Sequence, residues 1–262
     1  MKRHPVLASV AIFTIGMLYL PLIGVAIFSV NSARYGWVWK EFTFKWYISL
    51  FSNEYILEAA KNTFVLAIVS TAVSTVLGTL LAIGITQFPW KKRTESALDL
   101  LLHFPVVIPD IVMAGSLVVV FAILRAYSGI FEPGMATMII GHITFQIAFV
   151  ALIVRSRLVA IGTDLLEAGR DLYANNWYIM RKVMLPLLLP GIVAGSMLAF
   201  TLSLDDFVIS FFTSGPTSQT LPIYIYSAVR RGVTPQIHAL STVIVLVTVV
   251  LVVLAERFSR KK

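Results

Sequence analysis

Six long apolar stretches recur along the chain, at about 6–30, 60–87, 97–124, 134–154, 188–212 and 237–256, with polar segments between them. Each has the length of a helix crossing a bilayer, for which ~20 mostly apolar residues span ~30 Å of hydrocarbon. Helices are predicted rather than strands. A segment in lipid must satisfy every backbone N–H and C=O internally, and the alternating pattern of a barrel strand is absent. The first stretch, Val6 to Val30, follows Lys2-Arg3-His4. It is longer than the ~7–15 residue core of a cleaved signal and ends on no small-x-small site, so a retained span is expected. The third stretch contains Pro105 and Pro109, which predict a local break whose carbonyls open toward a pathway. The whole of 1–262 reads as one all-α transmembrane domain.

Composition agrees. Of 262 residues, 58% are hydrophobic and 13% charged, against ~45–50% and ~25% in soluble domains. The mean hydropathy is +0.87. There are no cysteines, which excludes disulfides, thiolate metal sites and cysteine nucleophiles. A net charge of +8 would suggest nucleic acid for a soluble protein; here the cations sort by side of the membrane, and no nucleic-acid partner is expected. Lys2, Arg3, Lys91, Lys92, Arg93, Arg155, Arg157, Arg170, Arg181, Lys182, Arg257, Arg260, Lys261 and Lys262 fall at the termini and in the loops near 88–96 and 155–187. Only Arg34, Lys40, Lys45, Lys61, Arg125, Arg230 and Arg231 fall on the other side. The bias places both termini in the cytoplasm.

Two loops are long. The external segment 31–60 mixes Trp37, Trp39, Trp46, Tyr47 and Tyr55 with charges, the pattern of an interfacial aromatic belt. Trp46 could instead hold an organic cation over its indole face, worth ~0.5–2 kcal/mol, with the interfacial role as the alternative. The cytoplasmic loop 155–187 has helical patterning of its own. Asp164-Leu165-Leu166-Glu167 has the form of a capping box, with Asp164 as cap. Leu165, Ala168 or Gly169, and Leu172 recur on one face. Asn175 caps a second helix from Asn176 to Leu185, which Pro186 and Pro190 are expected to close. A loop resting on lipid headgroups is the alternative.

Glu167-Ala168-Gly169-Arg170-Asp171-Leu172-Tyr173-Ala174, followed by Val183-Met184-Leu185-Pro186, resembles the EAA loop of binding-protein-dependent ABC importer permeases. Gly169 replaces the usual alanine, and Tyr173 replaces the glycine that usually ends the first helix. Asn31 to Gly36, Phe44 to Tyr47, Pro109 to Met113 and Leu202 to Val208 look closest to the second, C-type permease of spermidine/putrescine importers. The resemblance implies the type I importer permease fold with six spans, in the bacterial cytoplasmic (inner) membrane. It also implies a homologous permease partner, two ATPase subunits, an external substrate-binding protein and a polyamine substrate. ATP and Mg would sit on the ATPases and no cofactor on this chain. Asp164, Glu167, Ala168, Gly169, Asp171, Leu172, Tyr173, Leu185 and Pro186 would couple the spans to those ATPases.

Carboxylates inside apolar segments cost ~2.5–3.5 kcal/mol at a helix centre on insertion scales and are functional by default. Asp110 follows Pro109, and Asp205 and Asp206 stand late in the fifth span beside Ser203. Asp110 and one of the adjacent pair are expected to line a path for an organic polycation. Adjacent helical residues point about 100° apart, so both cannot face one lumen equally. Structural pairing is the alternative. Gly191 and Gly195 form a Gly-x-x-x-Gly step that suits close helix contact, either with a second permease or within the chain. His103, His142 and His238 are isolated on different spans, which favours hydrogen bonding over metal ligation.

Enzyme chemistry finds no support: His-Glu-x-x-His and Gly-x-Ser-x-Gly are both missing from the sequence. A phosphate loop of the Gly-x-x-x-x-Gly-Lys-Ser/Thr form is missing too, so ATP-driven transport would need a separate ATPase. Permeases for iron, phosphonate or other organic cations share the EAA loop. An ion-gradient-driven secondary transporter would show paired broken helices in two repeated halves, and the sequence shows one broken helix and no clear repeat.

Overall fold

The computed structural model describes residues 5–33, 38–162 and 164–260, which are helical almost throughout. Arg34, Tyr35, Gly36 and Trp37 of the external segment, and Lys2, Arg3, Lys261 and Lys262 of the termini, lie outside the described residues. The chain divides into two compact units, Met1–Glu58 with Tyr224–Lys262, and Ala59–Ile223.

The first unit is built on α1 (Pro5–Ser29), α2 (Lys45–Phe51) and α12 (Pro235–Arg260). From Val6 to Ile23 every residue of α1 is exposed. A helix apolar on all sides has a surface suited to lipid. Its C-terminal end meets α12, with the rings of Phe28 and His238 6.2 Å apart. The α2 helix also packs on α12, where Gln236 Nε2 donates to Ser49 Oγ at 3.2 Å.

The segment between α1 and α2 is organised by one buried side chain. Asn31 Nδ2 donates to Val38 O at 2.9 Å, while its Oδ1 accepts from the N–H groups of Ala33 and Lys40. Trp46 Nε1 donates to Asn31 O at 2.8 Å, and Lys45 Nζ lies 4.7 Å from the Trp46 ring. The cation over Trp46 is therefore its own neighbour, because consecutive residues at the start of α2 bring the lysine stem across the indole. Tyr47 is likewise tied down, its hydroxyl 2.6 Å from Ser29 Oγ. The Asn31→Ala protein loses three bonds at once. It is expected to cost about 1–3 kcal/mol locally and to speed tryptic cleavage at Lys40 and Lys45.

The second unit holds most of α3 (Glu54–Gln87), then α4 (Lys92–Val107), α5 (Asp110–Leu124), α6 (Met135–Ile161), α7 (Asp164–Asp171), α8 (Asn176–Ile179), α9 (Leu185–Asp205) and α10 (Val208–Thr213). A further helix, α11 (Leu221–Arg230), leads into α12. Among the described residues four helices are long and apolar enough to cross a membrane: Val6–Ser29, Glu54–Gln87, Met135–Ile161 and the run Asn176–Asp205. The α4–α5 pair makes a fifth if counted as one span bent by 106°, and α12 contributes a shorter apolar length, Pro235–Val250.

The break in the third stretch falls at Ile108 and Pro109, while Pro105 is absorbed within α4. A residue before proline is pushed out of the helical region, and Ile108 has ψ 135°. Three predicted limits change. The fourth span continues to Ile161, so Arg155 and Arg157 are helical rather than in a loop. Pro186 and Pro190 do not close the second short helix, which runs through five π-helical residues, Met180–Met184, directly into α9. Leu185 N there bonds to Met180 O. This widening places Pro186 in the opening turn of an α-helix, where its missing N–H is tolerated. The fifth span stops at Asp205, because Asp206 turns to an extended conformation with ψ 123°.

At the centre of this unit is α6, and glycines let its neighbours approach. Val150 is fully buried between Gly78 of α3 and Gly195 of α9. The stem of Arg157 lies against Gly191. The Gly-x-x-x-Gly step thus serves packing within the chain. Its face continues from Met184 through Leu188, Gly191, Gly195 and Ala199 to Ser203, all buried at three- and four-residue spacing.

Candidate functional site: a hairpin beneath the spans and a broken helix end

At Gly162, φ 75° and ψ −175° form a combination open essentially to glycine, and it turns the chain sharply out of α6. The next helix, α7, begins at Asp164 itself. Asp164 is thus inside the first turn rather than the cap, and the cap position falls on residue 163, outside the described residues. Asp164 and Glu167 in the first turn and Arg170 in the last suit the helix dipole. Leu166 faces inward, joining a buried cluster with Ile179, Met184, Leu188, Leu102, Val154 and Leu158. Gly169 lies on the same side. A Cβ there would meet Ile179 Cδ1 and Cγ1 at 3.1 Å, so the missing methyl lets α7 settle on α8. The predicted face of Leu165, Ala168 and Leu172 points outward and all three are exposed, Leu172 at 81%. Glu167, Asp171, Leu185 and Pro186 are exposed as well.

Tyr173 ends α7 with φ 60°, the one positive-φ residue other than glycine among the described residues. Its N–H bonds to Arg170 O at 2.9 Å and that of Ala174 to Gly169 O at 3.0 Å. The pair of bonds is a Schellman motif with tyrosine in the glycine position. Tyr173 is 98% exposed, so no packing offsets its backbone strain. The Tyr173→Gly protein is expected to strengthen this helix end by about 1 kcal/mol, read as slower hydrogen exchange at Tyr173 and Ala174. After the turn, Asn175 Oδ1 accepts from Tyr178 N at 2.7 Å and opens α8. The result is a short hairpin rooted in the core by Leu166 and Ile179, with an apolar and acidic outer face.

The second place is where α9 breaks. Asp205 is exposed, as is Asp110 in the first turn of α5. The helix of Asp110 packs against α10, which begins just after the Asp205/Asp206 break, since Ala114, one turn after Asp110, packs in one cluster with Ile209 and Phe145. Asp206 turns inward. Its Oδ2 lies 3.2 Å from His142 Nε2 and accepts from Ser210 N at 2.8 Å, and its Oδ1 accepts from Ile209 N at 3.3 Å. Ser203 is buried and sits 2.7 Å from His142 Nδ1 and 3.3 Å from Ser70 Oγ. Gln146 Nε2 donates to Ser70 Oγ and Ala199 O, and its Oε1 accepts from Ser74 Oγ at 2.9 Å. A continuous polar network therefore joins α3, α6, α9 and α10. His142 is hydrogen-bonded as expected, with partners that come from α9, α10 and the turn between them. Gln146, four residues on from His142, is the signal that one α6 face is polar. Among the described residues no group of three or more His, Cys, Asp or Glu is placed to hold a metal ion.

Trp46 belongs to the first unit, whereas Asp110, Ser203, Asp205 and Asp206 belong to the second. On the second unit's α4, Asp99 pairs with Arg155 of α6, tying the helix before the break to the one leading into the hairpin.

Residues 74–261 match the family described as the binding-protein-dependent transport system inner membrane component. The chain is 39% identical over 245 residues to the spermidine/putrescine transport system permease protein PotC of Escherichia coli strain K12, covering 94% of this chain and 90% of that protein. It is 34% identical over 250 residues to the putrescine transport system permease protein PotI of the same strain, covering 93% and 89%. Its fold resembles a chain of a bacterial alginate ABC transporter in complex with alginate pentasaccharide-bound periplasmic protein, with a TM-score of 0.77 at 22% identity over 98% of this chain and 93% of that one. With the family match running through most of its length, the chain belongs to the inner membrane components of binding-protein-dependent transport systems.

Proposed function

We propose that this chain is one permease subunit of an ATP-driven importer that moves spermidine or putrescine across the cytoplasmic membrane. It would pair with a homologous permease, two ATPase subunits and an external binding protein. The observation that carries this reading is the α7–α8 hairpin, whose inner face is part of the same core as α6 and α9 while its outer face is uncovered. Such an element can pass a push from a separate motor into the spans without deforming, because packed cores shift as units. The Lys and Arg bias supports a cytoplasmic hairpin and cytoplasmic termini. With no phosphate loop in the sequence, ATP and Mg belong to the motor.

The substrate reading draws on the names of the two relatives and on carboxylates within the apolar chain. Spermidine and putrescine are chains of ammonium groups, and a pathway for them needs acceptors spaced along a low-dielectric route. Asp110 and one member of the Asp205/Asp206 pair supply such acceptors at the helix breaks. The test is uptake of radiolabelled spermidine into liposomes holding this chain, its partner permease, the ATPase and the binding protein. ATP-dependent uptake that vanishes when the ATPase is omitted is the expected result. Uptake by this chain alone under a proton or sodium gradient would overturn the proposal.

A further inference from the structure

We propose that His142 sorts the two adjacent aspartates, locking Asp206 into the helix packing and leaving Asp205 as the carboxylate that meets a substrate ammonium group. This assignment rests on the polyamine reading above. The two residues differ by one peptide unit yet stand in different surroundings. Asp205 closes α9 and is exposed. Asp206 is the extended residue after it, and its side chain is 10% exposed. Three donors converge on Asp206: His142 Nε2, Ser210 N and Ile209 N. A carboxylate is acceptor-only, so Nε2 carries the proton between them. An ammonium group would have to reach Asp206 inside a buried region already crowded by these three donors, where any displaced polar partner is costly to leave unmatched. Asp205 pays no such penalty.

His142 can hold this position because it is itself held. It is fully buried, and Ser203 Oγ fixes its Nδ1 while Ser210 Oγ lies 3.0 Å from Nε2. Ser203 is in turn bracketed by Ser70, which Gln146 engages from α6. The imidazole thus ties α6 to the point where α9 gives way to α10. Since Asp206 also bonds the first free N–H groups of α10, its capture sets where the chain turns. It thereby sets the direction in which Asp205 emerges. His142 acts through Asp206 and touches no substrate: it is a positioning residue.

The natural absence of cysteine from this chain makes the assignment directly measurable. In the complete transporter, Asp205→Cys should react with methanethiosulfonate ethylammonium at least tenfold faster than Asp206→Cys. Adding His142→Leu to Asp205→Cys, with Asp206 intact, should change its labelling rate severalfold, because a released Asp206 no longer fixes the direction in which residue 205 emerges. In uptake assays with saturating binding protein, Asp205→Asn should lose tenfold or more, whereas Asp206→Asn should keep at least a third of the rate. His142→Gln, which can still donate to Asp206, should keep a similar share, and His142→Leu should fall to a tenth or less. Equal labelling at the two positions, or equal loss in the two asparagine proteins, would overturn the sorting. Absence of spermidine uptake by the unaltered transporter would instead remove the polyamine reading, leaving the labelling comparison to decide whether His142 locks Asp206.

Discussion

Glu167→Lys is expected to cut ATP-driven uptake by tenfold or more in the reconstituted transporter while membrane insertion and ATP hydrolysis by the motor persist. Glu167 is exposed in the first turn of α7, and burial of this helix is carried by Leu166 and Gly169 on the other side. The substitution therefore leaves the root of the hairpin in place. It reverses the charge on the outer face, and a lysine near a helix N-terminus adds ~0.3–1 kcal/mol of unfavourable dipole interaction. Misplaced like charge at a docking surface costs several kcal/mol, and ~1.4 kcal/mol is already tenfold in an equilibrium constant. The diagnostic result is a ratio: ATP hydrolysed per spermidine imported should rise tenfold or more. An unchanged ratio would mean that α7 is not the contact through which the motor acts.

The same substitution at two glycines should have opposite outcomes. A Cβ added at Gly78 would lie 2.8 Å from Val150 Cβ and 2.9 Å from Ile147 O, and neither a β-carbon nor a backbone oxygen can swing away. Gly78→Ala must therefore separate α3 from α6. Overpacking of this kind costs about 1–3 kcal/mol. It should lower the thermal unfolding midpoint in detergent and reduce the assembled yield. At Gly195 the nearest atom of the same Val150 would be 3.4 Å away, an ordinary contact. Gly195→Ala should be neutral or gain up to ~1 kcal/mol of helix propensity. Equal tolerance at both positions would show that α3 and α6 do not approach as closely as Gly78 implies.

Much of the hairpin was legible because its determinants are local. The acidic start of α7 and the asparagine that opens α8 depend on residues within one or two turns of each other, whereas the apolar pattern predicts a span ending near 154 and not the exit from α6 at Gly162. That Tyr173 holds a glycine position came from the resemblance to the EAA loop, and the structure gives it a physical basis in a Schellman end built from Gly169 to Ala174. Pro186 was misread by the same local logic. A proline usually stops a helix by crowding the carbonyl four residues earlier. Here five π-helical residues open the ladder just before it, and the helix continues. The widening accompanies the packing of Met184 and Leu188 into a core shared with α6, which is not a property of the 180–190 segment alone.

By itself the sequence determined that this chain lives in a bilayer as helices, that its cations divide unevenly between alternate loops, and that the third stretch breaks near its prolines. These follow from hydrophobic length, charge placement and proline chemistry, all of which act over a few neighbouring residues. Only tertiary structure decided which of two adjacent carboxylates is tied down. Nothing about Asp205 and Asp206 as neighbours distinguishes them; what does is a histidine on α6, more than sixty positions earlier, with serines of α3, α9 and α10 around it. Buried polar groups must find partners wherever the fold brings them, and those partners are set by helix packing rather than by sequence distance.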